Sequence, residues 1–283
     1  IMLLVFVGGL GYMTLSTVLV AALGRKLSLQ ERSTLREALN VDTREGIARF
    51  AGTVFRVALA LQLGGAFLLA LRFWPEFGPG RAAYLGLFHA VSAFNNAGFA
   101  LWSDNLIRYR GDVVVNLVIT SLIICGGLGF FVLRELSERK RFARWSLHTK
   151  LAVVITSVLL VAGTILILGF EWSNPRTLAP LPLGEKLLAS WFQSVSPRTA
   201  GFNTIDIGAM TMPALFLTMA LMFIGASPGS TGGGVKTTTF GITVFALIAT
   251  VRGASETVAF SRRIINETVA RAFFISLTAF LAL

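Results

Sequence analysis

The sequence is poor in the residues that form covalent cross-links and metal sites. Its 283 residues include one cysteine, Cys125, and two histidines, His89 and His148. A single cysteine excludes an internal disulfide and a cysteine-cluster metal site. The histidines lie far apart in sequence and lack the spacing of metal ligands, so we expect structural or interfacial roles for both. The chain has no cofactor-binding pattern of this kind.

Charged residues are also scarce. They make up 14% of the chain, whereas soluble proteins contain about 25%. Hydrophobic residues make up 54%, and the mean hydropathy is +0.73. This composition predicts an integral membrane protein that resides in a lipid bilayer.

Acidic residues are the scarcer charge, since 14 Asp and Glu stand against 25 Lys and Arg. Residues 24–56, 134–150 and 252–271 hold 17 of those 25 basic residues. In membrane proteins the basic residues concentrate in the cytoplasmic loops, so this uneven distribution indicates that these three segments are cytoplasmic. The same segments contain 8 of the 14 acids, which is typical of solvated surfaces rather than of densely basic nucleic-acid arms. We therefore expect no nucleic-acid partner.

Apolar runs of two lengths alternate along the chain. The long ones can cross a bilayer, and the connector after the first is polar and helix-forming around residues 27–39. Residues 82–96 and 183–195 are too short, because 15 residues of helix reach about 22 Å across a core of about 30 Å. We expect these two to be re-entrant half-helices. The predicted spans are residues 1–23, 53–73, 113–133 and 151–170.

Each half-helix leads into a loop with the same Ala-Gly-Phe core. We call residues 93–99 loop 1 and residues 196–203 loop 2. Glycine allows backbone angles that turn successive carbonyls toward one axis, and such carbonyls can replace the water shell of a cation. The half-helices would also direct their negative C-terminal ends at the ion. The alternative is an ordinary turn, which one copy would favour and two matched copies do not. The candidate filter residues are Asn96, Ala97, Gly98, Phe99, Thr199, Ala200, Gly201 and Phe202.

The residues beside these glycines carry further expectations. Phe99 and Phe202 would pack behind their loops, and neighbouring Asn and Thr side chains would bond the loop amides. Arg198, just before the core of loop 2, would either pair with Glu185 or Asp206 or face outer water.

A glycine-rich segment, residues 225–239, interrupts the long apolar run that follows loop 2. Pro228 and five glycines break helical hydrogen bonding at membrane depth, where irregular backbone is tolerated if it lines a cavity. This segment is a candidate gate inside the filter. Lys236 would either add an electrostatic barrier or extend to the cytoplasmic interface. The candidate gate residues are Gly225, Ser227, Gly229, Ser230, Thr231, Gly232, Gly233, Gly234 and Lys236.

Two enzyme patterns in this segment are incomplete. A phosphate-binding loop needs adjacent Gly and Lys, and Val235 intervenes. The sequence around Ser227 matches a nucleophile elbow, but a hydrolase also needs a nearby histidine and an acid. The segment lies between apolar helices that contain no acid, so we expect no enzyme.

The order helix, half-helix, loop, helix occurs twice. A second repeated mark, Gly-Gly-Leu-Gly, occurs at residues 8–11 and 126–129. The second copy follows Gly98 at a fixed distance, and the same distance counted back from the first copy predicts another loop before residue 1. The apolar run from residue 264 predicts one after residue 283. We thus expect an all-α membrane protein with potassium-channel-like helix–pore-loop–helix units, two complete and two partial. The predicted divisions are residues 1–50, 51–147, 148–263 and 264–283.

Residues 94–101, 194–204 and, above all, 225–239 resemble the Trk/Ktr superfamily of bacterial potassium transporters, in particular the pore-forming B subunit of Ktr systems. The Gly-Ser-Thr-Gly-Gly-Gly-Val-Lys stretch is the specific part of the match. The resemblance implies four repeats around one pore, with loops 1 and 2 as the second and third filter loops. It also implies that residues 225–239 are an intramembrane gating loop.

The resemblance further implies a homodimer bound to a cytoplasmic ring of nucleotide-binding regulatory subunits of the KtrA/TrkA type. The expected function is potassium uptake across the bacterial plasma membrane by a multi-pass subunit. One glycine per loop predicts modest discrimination against sodium. The alternatives are a non-conducting membrane scaffold of the same fold and, more remotely, a membrane-embedded serine hydrolase.

Overall fold

A computed structural model of the chain describes residues 1–10, 44–139, 141–254 and 256–281. Within these residues the chain forms ten α-helices and one two-stranded antiparallel sheet. The predicted connector helix at residues 27–39 and most of the first predicted span lie outside the described residues. In chain order the elements are α1 (Met2–Leu10), α2 (Arg44–Phe77), α3 (Pro79–Phe94), α4 (Val113–Leu128), α5 (Phe130–Glu138), α6 (Leu147–Glu171), α7 (Leu183–Val195), α8 (Met212–Phe223), α9 (Thr237–Val251), β1 (Thr257–Ala259), β2 (Arg262–Ile264) and α10 (Asn266–Leu281).

Two helices of the described chain are by themselves long and apolar enough to cross a membrane. They are Gly52–Phe77, within α2, and Leu147–Glu171, which is all of α6. Each is the leading helix of one predicted repeat. The predicted end of the first span at residue 73 is wrong, because α2 continues through Pro75 to Phe77. Pro75 removes a single helical hydrogen bond, that of its own missing amide, and Gly78, with φ of 73°, makes the turn instead.

The two short helices after these spans lie where the sequence predicts half-helices. Helix α3 has 16 residues and α7 has 13, so they reach about 24 Å and 20 Å. Helix α3 packs along α2, and its last residue, Phe94, is fully buried in the main core with Phe73 and Phe192. This packing holds the C-terminal ends of the short helices inside the protein.

The prediction of one continuous span over residues 113–133 is wrong. The chain breaks at Gly129, and α4 and α5 meet at an angle of 99°. Gly129 has a φ of 91°, and a Cβ there would approach the carbonyl oxygen of Pro228 to 2.6 Å. The break therefore depends on a glycine and on the glycine-rich segment that packs against it.

A short hairpin joins α9 to α10, and it was not predicted. Strands β1 and β2 pair antiparallel, and the two turn residues, Phe260 and Ser261, have φ of 50° and 61°. Such a turn normally carries Asn-Gly, so the sequence contains no recognisable hairpin signal. The ring of Phe260 packs against Phe142 and Phe245, at centroid distances of 6.0 and 5.6 Å. Tertiary packing thus stabilises an unfavourable turn.

Candidate filter and gate

Loops 1 and 2 meet through their glycines. A Cβ on Gly98 would overlap the carbonyl oxygen of Ala200 and come within 3.0 Å of the Gly201 Cα. A Cβ on Gly201 would lie 3.7 Å from the Gly98 Cα, which is ordinary contact. The two candidate filter glycines, 103 positions apart in the sequence, are therefore neighbours, and Gly98 occupies the tighter place.

The two loops also share an unusual backbone conformation. In loop 1 the φ angles of Asn96 and Gly98 are 52° and 71°, and in loop 2 those of Thr199 and Gly201 are 89° and 85°. The alanine between each pair does not have a positive φ. Alternation of positive and negative φ turns successive carbonyls toward the same side, whereas a regular strand alternates them. Both loops can therefore present a row of oxygens to a cation.

The aromatic residues after the glycines differ between the loops. Phe202 is 1% exposed, as expected for a residue that packs behind its loop. The same expectation for Phe99 is wrong, because its side chain is 53% exposed and lies beside Leu3 and Tyr84. In loop 2, Ser196 closes the turn, since its hydroxyl donates to the Phe202 carbonyl and its own carbonyl accepts from the Ala200 amide at 2.9 Å.

The asparagines of loop 1 do not bond the loop amides as expected. Asn95 donates to the Val91 carbonyl at 2.8 Å and, at 3.5 Å, to the side-chain oxygen of Gln62 on α2. Asn96 donates to the hydroxyl of Thr231 at 2.8 Å. Loop 1 is therefore connected to its leading helix and to the glycine-rich segment.

Arg198 follows neither of the two predicted arrangements. Its side chain is buried, and one guanidinium nitrogen donates to the Gly225 carbonyl at 3.0 Å and, more weakly, to the Thr156 hydroxyl at 3.4 Å. Glu185 pairs instead with Arg110 at 3.4 Å. Sequence reasoning missed this contact because Arg198 and Gly225 are far apart in the sequence and no local motif links them.

The irregular part of the glycine-rich segment, before α9 begins at Thr237, is a loop closed by hydrogen bonds between its two sides. Ile224 and Val235 form a bridge, and the Gly225 amide donates to the Val235 carbonyl at 3.0 Å. The Val235 amide donates to the Phe223 carbonyl at 3.0 Å, and the Ala226 amide to that of Gly233 at 3.0 Å. The backbone groups that leave the helical pattern are thus paired again within the segment, as irregular backbone in a membrane protein requires.

The glycine-rich segment docks on the break between α4 and α5. The Ser227 amide donates to the Gly127 carbonyl at 2.9 Å, and the Thr231 amide donates to the Gly126 carbonyl at 3.1 Å. In return, the Phe130 amide donates to the Gly229 carbonyl at 3.0 Å. The Gly-Gly-Leu-Gly mark, which in the sequence only indicated the repeat, is therefore the docking place of this segment.

Thr231 connects the glycine-rich segment to loop 1. Its hydroxyl donates to the Phe94 carbonyl at 2.9 Å, at the C-terminal end of α3, and accepts from Asn96. Lys236 donates from Nζ to the Gly232 carbonyl at 2.8 Å, so its ammonium group is held by the segment itself. Gly232 also lies against Thr199 of loop 2.

The residues of the hydrolase alternative are engaged elsewhere. The Ser227 hydroxyl is buried and bonded to that of Thr237 at 2.7 Å. The His89 ring contacts the Leu85 carbonyl through Nδ1 at 2.8 Å, and Nε2 accepts from the Leu101 amide at 3.3 Å. These bonds assign a neutral ring with the proton on Nδ1. His89 is therefore a structural residue, stacked on Trp102 at 4.5 Å.

Acidic residues near the outer loops are paired with arginines. Asp112 contacts Arg72 at 2.5 Å, and Asp104 contacts Arg108 at 2.9 Å. The hydrogen bond from Arg108 lowers the pKa of the exposed Asp104 carboxyl. These pairs offset the negative charge that free carboxylates would offer to an approaching cation.

Comparisons with known proteins agree on one family. Residues 2–283 match the TrkH family, described as a cation transport protein. The chain is 44% identical over 279 residues to Ktr system potassium uptake protein B of Bacillus subtilis, covering 99% of this chain and 63% of that protein. It is 40% identical over 281 residues to potassium/sodium uptake protein NtpJ of Enterococcus hirae, covering 98% and 62%. The chain thus spans about three fifths of the length of these curated relatives.

The fold also matches a solved structure. The crystal structure of the potassium transporter TrkH from Vibrio parahaemolyticus aligns with a TM-score of 0.69 at 19% identity. The alignment covers 99% of this chain and 56% of that one. At this identity the match establishes the fold, a helical membrane protein.

Proposed function

This chain belongs to the TrkH family of cation transport proteins, and from that premise we propose that it forms part of the pore of a potassium uptake system in the bacterial plasma membrane. The observation that carries this proposal is the contact between Gly98 and Gly201 in loops of matching backbone conformation. Two such loops are adjacent walls of a carbonyl-lined filter. The ion is the transported substrate, and it is recognised by oxygens of residues 96–99 and 199–202.

In this proposal the glycine-rich segment is the gate. It touches both filter loops, through Thr231 on loop 1 and through the Arg198–Gly225 bond on loop 2. A closed loop that is held by a few hydrogen bonds can leave its place without unfolding a helix. Lys236, bonded within the segment, adds positive charge to the closed path and so opposes cation passage.

The expected partners follow the same family. A homodimer would bind, through its basic cytoplasmic segments, a ring of nucleotide-binding regulatory subunits. The name of the Bacillus subtilis relative, a Ktr system protein, supports the multi-subunit arrangement. The name of the Enterococcus hirae relative includes sodium, which supports the expectation of modest discrimination between the two ions.

The test is rubidium influx into bacterial cells that lack potassium uptake systems, with the gene expressed in full together with its regulatory subunit. We expect saturable influx and growth at low external potassium. The matched control is Arg176→Gln, a change at an exposed outer-loop arginine, which should leave influx unchanged. A protein that reaches the membrane in normal amount but carries no rubidium would contradict transport and leave the scaffold alternative.

A further inference from the structure

Arg198 is a buried cation without a carboxylate partner among the described residues. Its side chain is 7% exposed, and its hydrogen-bond acceptors there are a carbonyl and a hydroxyl. Burial of a charge in a protein interior is costly unless the charge is paired and fully hydrogen-bonded. A neutral residue would be the less costly choice at this position, so the arginine calls for a reason beyond stability.

The position of Arg198 suggests that reason. The residue lies in loop 2, three positions before Gly201, and its guanidinium reaches the carbonyl of Gly225, the first residue of the glycine-rich segment. Gly225 in turn is bonded to Val235, just before α9 begins at Thr237. One side chain therefore connects the candidate filter to the point at which the irregular part of the candidate gate closes on itself.

The corresponding residue of loop 1 makes no such connection. When the Ala-Gly-Phe cores are aligned, Asn95 takes the place of Arg198. Asn95 bonds to Gln62 on α2, and Arg198 bonds to Thr156 on α6, so both contact the leading helix of their own repeat. Only the longer arginine extends further, to the glycine-rich segment. Both loops therefore share the contact with a leading helix, and loop 2 adds the contact between Arg198 and the candidate gate.

The surroundings of the guanidinium leave it room to exchange partners. A cavity of about 20 Å³, lined by Thr156, Arg198 and Ala226 among others, adjoins it, and the Nε atom has no partner in the described part of the chain. A volume of this size accommodates about one water molecule. When the segment moves away, a water there would offer the guanidinium an acceptor in place of the Gly225 carbonyl.

We propose that Arg198 is a positioning residue that holds the glycine-rich segment closed against loop 2, so that opening the path requires breaking its bond to the Gly225 carbonyl. The inference rests on the proposed transport function and adds the residue that couples filter and gate. Loss of a hydrogen bond from a charged group shifts such an equilibrium by about tenfold. We therefore expect Arg198→Gln to raise the maximal rate of rubidium influx several-fold.

The experiment compares Arg198→Gln in the intact protein and in a protein that lacks residues 229–234, both expressed in full in cells without potassium uptake. If Arg198 acts through the segment, the substitution raises influx in the intact protein and changes nothing in the deletion background. Arg198→Lys, which keeps one donor, should fall between wild type and Arg198→Gln. Arg176→Gln is the control for loss of an arginine, and membrane levels of every variant are measured.

The possible outcomes separate the two proposals. Absence of influx with the unaltered protein contradicts the transport function itself. Influx in the unaltered protein that Arg198→Gln lowers equally in both backgrounds, or leaves unchanged, overturns the role of Arg198.

If Arg198→Gln does not reach the membrane, the milder Arg198→Lys is used. A single reporter thiol is placed in the segment by Ser230→Cys, with the native thiol removed by Cys125→Ser, and the rate of its labelling is measured. Faster cytoplasmic labelling than in the Arg198 parent supports a loosened segment, and equal labelling contradicts it.

Discussion

Loops 1 and 2 have the same backbone conformation but different attachments. In both, positive φ angles two residues apart flank an alanine, and the glycines touch. Around this shared core, loop 1 is attached by neutral groups, through Asn96 to Thr231, and loop 2 by a buried cation, through Arg198 to Gly225. The part of each loop that would face an ion in the proposed filter is set by backbone geometry, whereas the part that contacts the glycine-rich segment differs between the two loops.

The largest expected effect comes from the filter glycines. Gly98→Ser should reduce rubidium influx at least about tenfold, because any Cβ at Gly98 meets the Ala200 backbone and an L-residue at positive φ is strained. Gly201→Ser has only the strain, because its Cβ has space. It should retain influx with weaker preference for potassium over sodium. The measurement is rubidium influx in competition with each ion, and equal loss in both variants would contradict the difference in packing.

The next effect comes from shortening the gate. Deletion of residues 229–234 should raise maximal influx roughly fivefold, because it removes the part of the segment that both attachments would hold across the path, including Thr231, which bonds to loop 1. The Ile224–Val235 bridge already brings the ends together, so the shortened chain can close. The measurement is the kinetics of rubidium uptake in cells whose membranes contain a normal amount of the shortened protein. Unchanged or lower influx counts against a gating role.

A smaller effect is expected from the neutral attachment alone. Thr231→Val keeps the shape of the side chain but removes its bonds to Phe94 and Asn96, and it should raise influx about two- to threefold. Thr231→Ser keeps the hydroxyl and is the matched control. If Thr231→Val and Thr231→Ser give the same influx, the hydroxyl does not restrain the segment.

The smallest effect is expected at the leading helices. Gln62→Leu and Thr156→Val remove contacts of 3.5 and 3.4 Å, which are long for hydrogen bonds. We expect influx to change less than about twofold in either variant, since bonds this long contribute little. A large change at one site would show that this repeat depends on its leading helix more than the other does.

Much of the architecture can be predicted from the sequence because it depends on local composition and length. The two spans, α2 and α6, and the two half-helices, α3 and α7, lie where apolar runs of matching length lie. The bend at Gly129 could not be predicted in this way. The apolar run is continuous through Leu128 and Phe130, and only the packing of the Pro228 region against Gly129 reveals why the helix ends there.

The candidate site was predictable in part. Repetition of Ala-Gly-Phe pointed to Gly98 and Gly201, which the structure places in contact, and residues 225–239 remain a candidate gate. The exposure of Phe99 and the bonds of Arg198 were missed, because neighbouring residues in the sequence suggest different partners, such as Glu185. Division of the chain into four repeats stays a prediction, as do the filter and gate roles.

By itself, the sequence determined that this is a membrane protein and predicted its repeated units, because hydrophobic run lengths and the positive-inside asymmetry can be read from consecutive residues. Tertiary structure decided which groups meet. Asn96 and Thr231 are 135 positions apart, and Arg198 and Gly225 are 27 apart. Bonds over such separations exist only after the helices pack. The repeated Ala-Gly-Phe core was therefore evident from the sequence, whereas its connection to the glycine-rich segment became evident only from the fold.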